Sequence, residues 1–355
     1  MSKKVLEIIT PSKIGGAEVF VSNFSRYLKD KDLLAGVFCP SERPFLGYVR
    51  NNRIAPVSWK TYGKFDFQTI FRFKKIIKSL DAGVVHTHLS TASLLGAFAA
   101  NIAGVRSVAH VHGFNSAACF RYSDKIIAVS EAVKNHLVMQ NISKDKIEVL
   151  YNGIDCEHFS PVDSVKSREK LELPRDILII GVFGRLSAEK GQAYAIKLMS
   201  EICKINPEAM LLVVGSGKDE ANLKALANDI LPKNCAVFAG FQNDIRAYMA
   251  ACDMVVIPSI KEGFGLAAVE AMAMRKVVFA SKTGGLLEII EDEKSGYLID
   301  FKNELKSVAD KILNILSDKQ NCIKIGFQAR ERVLKYFNFN IQAQKLYNIL
   351  ADKDE

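Results

Sequence analysis

Two consecutive α/β domains, each built on a doubly wound parallel sheet, are the fold this sequence predicts, and three observations predict it. Short apolar runs alternate with helix-length segments along the chain, the rhythm of βαβ units and parallel sheets. A length of 355 residues suits two domains, each able to bury its own core. A break between His158 and Arg175, where Ser-Pro-Val-Asp-Ser precedes a charged segment, reads as a linker. The domains are therefore drawn as residues 1–160 and 161–336, followed by a C-terminal segment 337–355.

In chain order, the predicted strands of the first half are Val5–Ile9, Leu34–Cys39, Val84–Thr87, Ser107–Val111, Ile126–Val129 and Glu148–Leu150. Those of the second half are Ile177–Phe183, Met210–Val214, Ala236–Ala239, Met254–Ile257, Val277–Ala280 and Tyr297–Ile299. Thr91 to Val105 is rich in Ala and Gly and too short for a membrane span, so it is read as a buried helix. Leu305, Val308, Ala309, Ile312 and Leu316 recur at helical spacing, and a last helix runs from about Ile341 to Leu350. In such sheets ligands bind beyond the carboxyl ends of the strands, so the loops there hold the candidate site.

Composition is that of a globular protein, 49% hydrophobic and 25% charged. Seven cysteines are scattered with no Cys-x-x-Cys pair, which argues for reduced thiols in a cytosolic protein. Met-Ser-Lys-Lys followed by Val5 to Ile9 and Pro11 is too short for a secretory leader. Of the net charge of +9, residues 1–160 carry +8, from 21 Lys and Arg against 13 Asp and Glu. There is no nucleic-acid motif or arginine stripe, so no nucleic-acid partner is expected. An anionic membrane surface or an anionic lipid-linked substrate suits this half better.

The most informative stretch is Ile260-Lys-Glu-Gly-Phe-Gly-Leu-Ala-Ala-Val-Glu-Ala-Met272, where a strand passes through a glycine turn into a helix. Gly263 and Gly265 let backbone amides approach a ligand, and a helix start at Leu266 favours a phosphate. Glu262 and Glu270 flank the turn and suit hydroxyls attached to that phosphate, such as a ribose or a sugar. Spacing alone leaves open a plain crossover with Glu270 on a solvated face. Gly184-Arg185 ends another strand and Lys190 precedes a helix, two cations suited to a pyrophosphate or merely solvated. Thr10-Pro-Ser-Lys-Ile-Gly-Gly-Ala-Glu18 lacks the dinucleotide fingerprint, and its Gly15-Gly16 pair reads as a tight turn or a place for a phosphate or sugar. Val214-Gly-Ser-Gly-Lys218 fails as a P-loop, since Leu212 stands where the first glycine belongs and Asp219 follows the lysine. His86, His88, His110 and His112 fall at two strand ends, where strand period brings all four together. With no carboxylate or cysteine at ligand spacing, no metal site is expected, and buried strand histidines are expected to satisfy backbone groups. His112 stands apart because His-Gly-Phe enters a loop at the ligand-binding edge.

Together Gly15-Gly16, His112, Asn152-Gly153-Ile154-Asp155, Gly184-Arg185, Lys190, Pro258-Ser259 and Glu262-Gly-Phe-Gly-Leu-Ala-Ala-Val-Glu270 resemble the retaining family 4 glycosyltransferases of GT-B fold, in order and over nearly the whole chain. The resemblance implies two Rossmann-like domains facing each other across a cleft, with the last helix crossing back to the N-terminal, acceptor-binding domain. It implies that Glu262 meets hydroxyls of the donor sugar, Glu270 the nucleotide ribose, and Arg185 and Lys190 the diphosphate. The amides of Gly263, Phe264, Gly265 and Leu266 would add donors, Gly15 and Gly16 would line the cleft from the acceptor side, and His112 would sit near the transferring sugar. The implied activity is hexosyl transfer from a nucleotide sugar, UDP before GDP, to a glycan or lipid-linked hydroxyl. Configuration would be retained, in cell-surface polysaccharide or lipopolysaccharide synthesis, with no metal or other cofactor. The place is cytoplasmic, with peripheral attachment to the inner membrane suiting the basic half.

Other readings compete less well. A retaining glycosidase needs two carboxylates but no cations for a diphosphate. An epimerase of the same fold differs in turning over its donor without an acceptor, and a non-catalytic sensor is disfavoured by intact Glu262, Arg185, Lys190 and Glu270. Asp30-Lys-Asp32 and Asp352-Lys-Asp354 match the metal-binding Asp-x-Asp by letter, but lie in lysine-flanked surface segments. Between Arg43 and Lys78 nine cations stand against Asp66, interleaved with Trp59, Tyr62, Phe65, Phe67, Phe71 and Phe73. That pattern suits a lipid surface, or a core-facing helix with solvated cations.

Overall fold

The computed structural model describes residues 3–11, 15–51 and 54–352. It contains two six-stranded, wholly parallel sheets. The first is formed by β1 (Val5–Ile9), β2 (Leu34–Phe38), β3 (Val84–His88), β4 (Arg106–Val111), β5 (Lys125–Ala128) and β6 (Ile147–Val149), in the order β2-β1-β3-β4-β5-β6. The second comprises β7 (Ile179–Phe183), β8 (Met210–Val214), β9 (Ala236–Gly240), β10 (Met254–Ile257), β11 (Val277–Ser281) and β12 (Tyr297–Ile299), in the order β12-β11-β10-β7-β8-β9. All twelve predicted strands are present, with ends within two residues of the expected ones. Both sheets reverse strand order beside their first strand, the topological switch point where doubly wound sheets bind ligands.

Helices cover both faces of each sheet, so the central strands are buried throughout and read as apolar runs. In the first unit Leu6, Ile8, Phe38, Val85 and Leu95 pack with Phe73 and Ile77 of the helix Phe67–Ser79. Ile9, Val21, Val37, Phe45 and Val49 fill a second cluster. In the second unit Val182, Ile196, Met199, Leu211, Val256 and Phe279 belong to one continuous core. The strands β1 and β3 break the rule, because Glu7, His86 and His88 are completely buried within them.

The division of the chain differs from the expected one. One compact unit holds the residues up to Asn152 together with those from Asn340 onward, and the other spans Gly153–Phe339. The expected linker, His158–Arg175, instead belongs to the second unit. It contains the helix Ser164–Lys170, capped by Asp163, and Arg168 is buried with its guanidinium bonded to Asp253 (2.8 Å) and to the carbonyls of Ala251 and Ile177. A charged composition suggested solvent there, whereas one of its cations closes the edge of a core. The last helix, Phe339–Ala351, lies with the first unit, where Tyr27 donates to Gln344 (2.8 Å) and Arg106 to the carbonyl of Ile349 (3.0 Å).

At the changeover the chain leaving β6 runs beside the chain returning from the second unit. Ile154 donates to the carbonyl of Phe337 (2.8 Å) and Phe339 donates back to that of Ile154 (2.9 Å). A Cβ on Gly153 would lie 2.6 Å from Phe339 Cα and 2.9 Å from its nitrogen, so only glycine fits. Forcing a side chain into backbone costs about 1–3 kcal/mol. Gly153→Ala is therefore expected to lower the melting temperature of the second unit by several degrees in calorimetry, and an unchanged transition would show that this crossing yields freely.

Candidate functional site

The second sheet builds its site by locking three neighbouring loops together through their backbones. β10, β7 and β8 are adjacent, so the loops at their carboxyl ends lie side by side. Gly191, with φ of +70°, comes so close to Pro258 that an added Cβ would sit 1.9 Å from its carbonyl oxygen. The carbonyl of Glu189 accepts from the amides of Ile260 (2.8 Å) and Lys261 (3.3 Å). Gly215, with φ of +142°, abuts the carbonyl of Gly184 in the same way, and Leu186 donates to Ser216 (3.0 Å). The glycines of the failed P-loop motif thus serve loop packing around Arg185.

This lacing fixes the side chains. Lys190 Nζ donates to Glu262 Oε2 at 2.6 Å, and Ser259 Oγ donates to the same oxygen at 2.9 Å. Glu262 is buried, and among the described residues its Oε1 has no bond, leaving an acceptor for hydroxyls. Arg185 is exposed at the same edge, and among the described residues its guanidinium has no protein partner. The cations expected to act as a pair therefore differ: one is already ion-paired and the other faces solvent.

The turn after Glu262 is held from β11. Gly285 donates to the carbonyl of Glu262 (3.0 Å), and a Cβ on Gly285 would meet Gly263 O and Phe264 Cα at 2.7 Å. Gly265 has φ of +120° and lies against Leu286, so the chain enters the helix Leu266–Ala273 in a conformation that favours glycine. First-turn amides such as those of Leu266 and Ala267 have no partner within their own helix and are suited to an anion. Phe264 is only 3% exposed and packs edge-on against Phe337, so its side chain anchors the turn and only its backbone can meet a ligand. Glu270, half-buried on that helix, has its carboxyl pushed up to about 7 by burial.

In the first unit the four histidines do come together. Ring centroids are 4.2 Å apart for His86 and His88 and 4.4 Å for His110 and His112. The expectation that no carboxylate joins them is overturned by Glu7, which the parallel register of β1 and β3 places opposite His86. Its Oε1 lies 2.9 Å from His86 Nδ1 and its Oε2 2.7 Å from His88 Nε2, while His88 Nδ1 lies 2.9 Å from His112 Nε2. His86, His88 and His112 therefore bond a carboxylate and one another, where backbone groups were expected. Burial raises the Glu7 carboxyl, an effect His86 opposes, and burial pushes His88 and His110 well below the usual range and His112 to about 3. Phe20 covers His110 and His112 with centroids at 4.8 and 5.6 Å.

Gly15 and Gly16 are exposed at the start of the helix Gly16–Asp30, and Gly15 donates its amide to Glu18 (2.9 Å). A carboxylate on that amide suits hydroxyls better than phosphate. Ser12, Lys13 and Ile14 of the same motif lie outside the described residues, as does Asp354. Asp30 and Asp32 are exposed, and Asp352 pairs with Arg106 (2.7 Å).

Three contributors escaped the sequence reading. Ser259 was seen only beside its proline, Gly284-Gly285 is a loop signal after β11, and Glu7 is a lone acid inside the apolar run Val-Leu-Glu-Ile-Ile. The last was the most readable, since an unpaired acid is almost never fully buried.

Comparison with known proteins places the chain in a family. The family model for glycosyl transferases group 1 matches residues 163–332, and that for glycosyltransferase family 4 matches residues 14–158. A UDP-Gal:alpha-D-GlcNAc-diphosphoundecaprenol alpha-1,3-galactosyltransferase of Escherichia coli is 30% identical over 81% of this chain and 80% of its own length. The capsular polysaccharide biosynthesis glycosyltransferase CapM of Staphylococcus aureus is 29% identical over 65% of this chain and 63% of its own. Among solved structures, Anabaena HepE in complex with UDP superposes with a TM-score of 0.86 at 24% identity, covering 98% of this chain and 100% of its own. The chain belongs to the group 1, family 4 glycosyltransferases and has their GT-B fold.

Proposed function

We propose that this glycosyltransferase moves a sugar from UDP to a hydroxyl of a lipid-linked glycan, with retention at the anomeric carbon and without a metal ion. The observation that carries the reading is the Lys190–Glu262 pair held beside Arg185 by the laced loops of β7 and β10. Breaking the sugar–phosphate bond leaves negative charge on the diphosphate, and preorganised cations lower that barrier. Lys190 has three N–H donors, so it can hold Glu262 and a phosphoryl oxygen together. Glu262 Oε1 remains for sugar hydroxyls, and Glu270 for the ribose diol. With Oε2 bonded to both Lys190 and Ser259 and Oε1 given to sugar hydroxyls, Glu262 has no oxygen left to attack the anomeric carbon, which supports front-face substitution. In that step the anomeric carbon–diphosphate bond breaks as the acceptor oxygen bonds to the same face, and the acceptor's proton passes to the leaving phosphate. The Escherichia coli relative, named for a UDP-sugar and a diphosphoundecaprenol acceptor, supports this choice of donor and acceptor.

A lipid-linked acceptor asks the enzyme to reach a membrane. No described helix is long and apolar enough to cross one. Of the aromatics between Arg43 and Lys78, Trp59 and Phe73 pack against Phe38. Tyr62, Phe65, Phe67 and Phe71 are instead 73%, 84%, 66% and 65% exposed, among Lys60, Lys64, Arg72, Lys75 and Lys78. Exposed rings amid cations suit an anionic headgroup layer. Arg53 of this segment lies outside the described residues.

Three tests follow from this reading. Arg185→Ala and Lys190→Ala should each lower sugar transfer to a lipid-linked acceptor about a hundredfold, while wild-type transfer persists in excess EDTA with the product linkage retained by NMR. Near-normal rates in either variant would misplace the diphosphate. Binding of a UDP-sugar should depend on Glu270: ribose hydroxyls need the ionised carboxylate, so affinity should rise with pH through about 7, and calorimetry should detect a proton released on binding. Glu270→Gln should flatten that profile, and a flat wild-type profile would remove Glu270 from the ribose. Vesicles containing anionic lipid, but not zwitterionic ones, should bind the enzyme, with salt weakening the binding. Phe65→Ala with Phe71→Ala should abolish it, and undiminished binding by that double variant would place the contact elsewhere.

A further inference from the structure

We infer that Glu7, His88 and His112 form a hydrogen-bonded relay in which the Glu7 carboxylate fixes the tautomer of His112, so that His112 offers a bare Nδ1 as acceptor to a sugar hydroxyl. The hydroxyl rests on the proposed sugar transfer, whereas the relay rests on geometry. Glu7 Oε2 and His88 Nε2 are 2.7 Å apart, and His88 Nδ1 and His112 Nε2 are 2.9 Å apart. A neutral imidazole has one N–H and one bare nitrogen, and burial keeps His88 and His112 neutral. An ionised Glu7 only accepts, so His88 carries its proton on Nε2 and leaves Nδ1 bare. That bare nitrogen only accepts, so His112 carries its proton on Nε2 and its Nδ1 is left for a ligand. Of the four clustered histidines, only His112 is not fully buried. Glu7 and His88 are thus positioning residues for His112.

The reverse chain needs a proton on Glu7 Oε2, which would make His112 Nδ1 a donor. Two features favour the carboxylate. Burial raises the Glu7 carboxyl, but His86 opposes that effect from 2.9 Å, and only the carboxylate lets both oxygens accept, one from His86 Nδ1 and the other from His88 Nε2. Among the described residues, the other rings packed on the relay, His110 and Phe20, bring no second charge: His110 is held neutral by burial and Phe20 is apolar. A metal is the rival occupant, since His86, His88 and His110 offer ligand nitrogens within 4.8 Å of one another. Zinc–nitrogen bonds of about 2.0–2.1 Å set tetrahedral edges of about 3.3 Å, and both nitrogens of His88 are already engaged.

The test is nitrogen NMR of the full chain labelled at histidine, which separates the two neutral tautomers and the imidazolium. His112 should be the Nε2–H tautomer from about pH 6 to 8, and metal analysis should find less than stoichiometric zinc. An Nδ1–H tautomer, an imidazolium, or one zinc per chain would overturn the relay, and none of these readouts needs a variant or an active donor. Glu7→Gln, whose amide can donate towards His88, should mix the His112 tautomers and lower turnover about tenfold, the worth of one hydrogen bond of about 1.4 kcal/mol, at unchanged UDP affinity. Mixed tautomers with normal turnover would remove His112 Nδ1 from the reaction. Loss of transfer by the wild type on every UDP-sugar, with the Nε2–H tautomer seen, would count against the proposed reaction and uphold the relay.

Discussion

The candidate donor site depends on backbone meeting backbone. Lys190 reaches Glu262 only because the loops after β7 and β10 touch through Gly191 and the Pro258 carbonyl, at a separation no Cβ tolerates. The bond from Ile260 to Glu189 holds the second loop in register with the first. The same closeness recurs between Gly215 and Gly184, and between Gly285 and the Gly263–Phe264 turn. Loops held this way lose little further entropy when a ligand arrives, and charges on them need not be reorganised as the reaction proceeds. Their glycines are structural first, and their catalytic value lies in where they put an ammonium and a carboxylate.

The strands were legible because a buried parallel sheet demands apolar runs of four to six residues, and little else in the chain supplies them. The Gly-rich turn from Glu262 to Glu270 was legible because its residue types share one sequence segment. The pairing of Lys190 with Glu262 was not, since 72 residues separate them and only the order β10-β7-β8 makes them neighbours. Glu7 escaped for the same reason: its partners lie on β3, set by a register that no local pattern reports. The linker failed differently. A cluster of charges predicts solvent, and Arg168 shows that a guanidinium with carbonyls and an aspartate around it can close a core instead.

Aromatic residues among cations divided cleanly once the helix Phe67–Ser79 was placed. Its phase turns Ile70, Phe73 and Ile77 inward and Phe67 and Phe71 outward, and sequence periodicity already carried that split. What periodicity lacked was the segment before the helix, where Trp59 joins the core while Tyr62 and Phe65 stay exposed. Asp66 decides the boundary, because its carboxylate caps the helix by accepting from Thr69 and Tyr62.

The two units handle buried charge in opposite ways, and the contrast bears on what the first sheet does. In the second unit Glu262 has an ammonium beside it, so its charge is balanced where it is buried. In the first, Glu7 and three imidazoles replace apolar side chains at the centre of a sheet, and among the described residues both nitrogens of His110 and Nε2 of His86 have no hydrogen-bond partner. Each such atom costs about 1–3 kcal/mol, and buried polar groups are often replaced by apolar ones with no loss of stability. Packing therefore gives no reason for this cluster, because isoleucine and valine would fill β1 and β3 more favourably. The return on that instability has to come where the cluster meets solvent, and it does so at His112, whose remaining nitrogen is oriented and left bare by what lies beneath it.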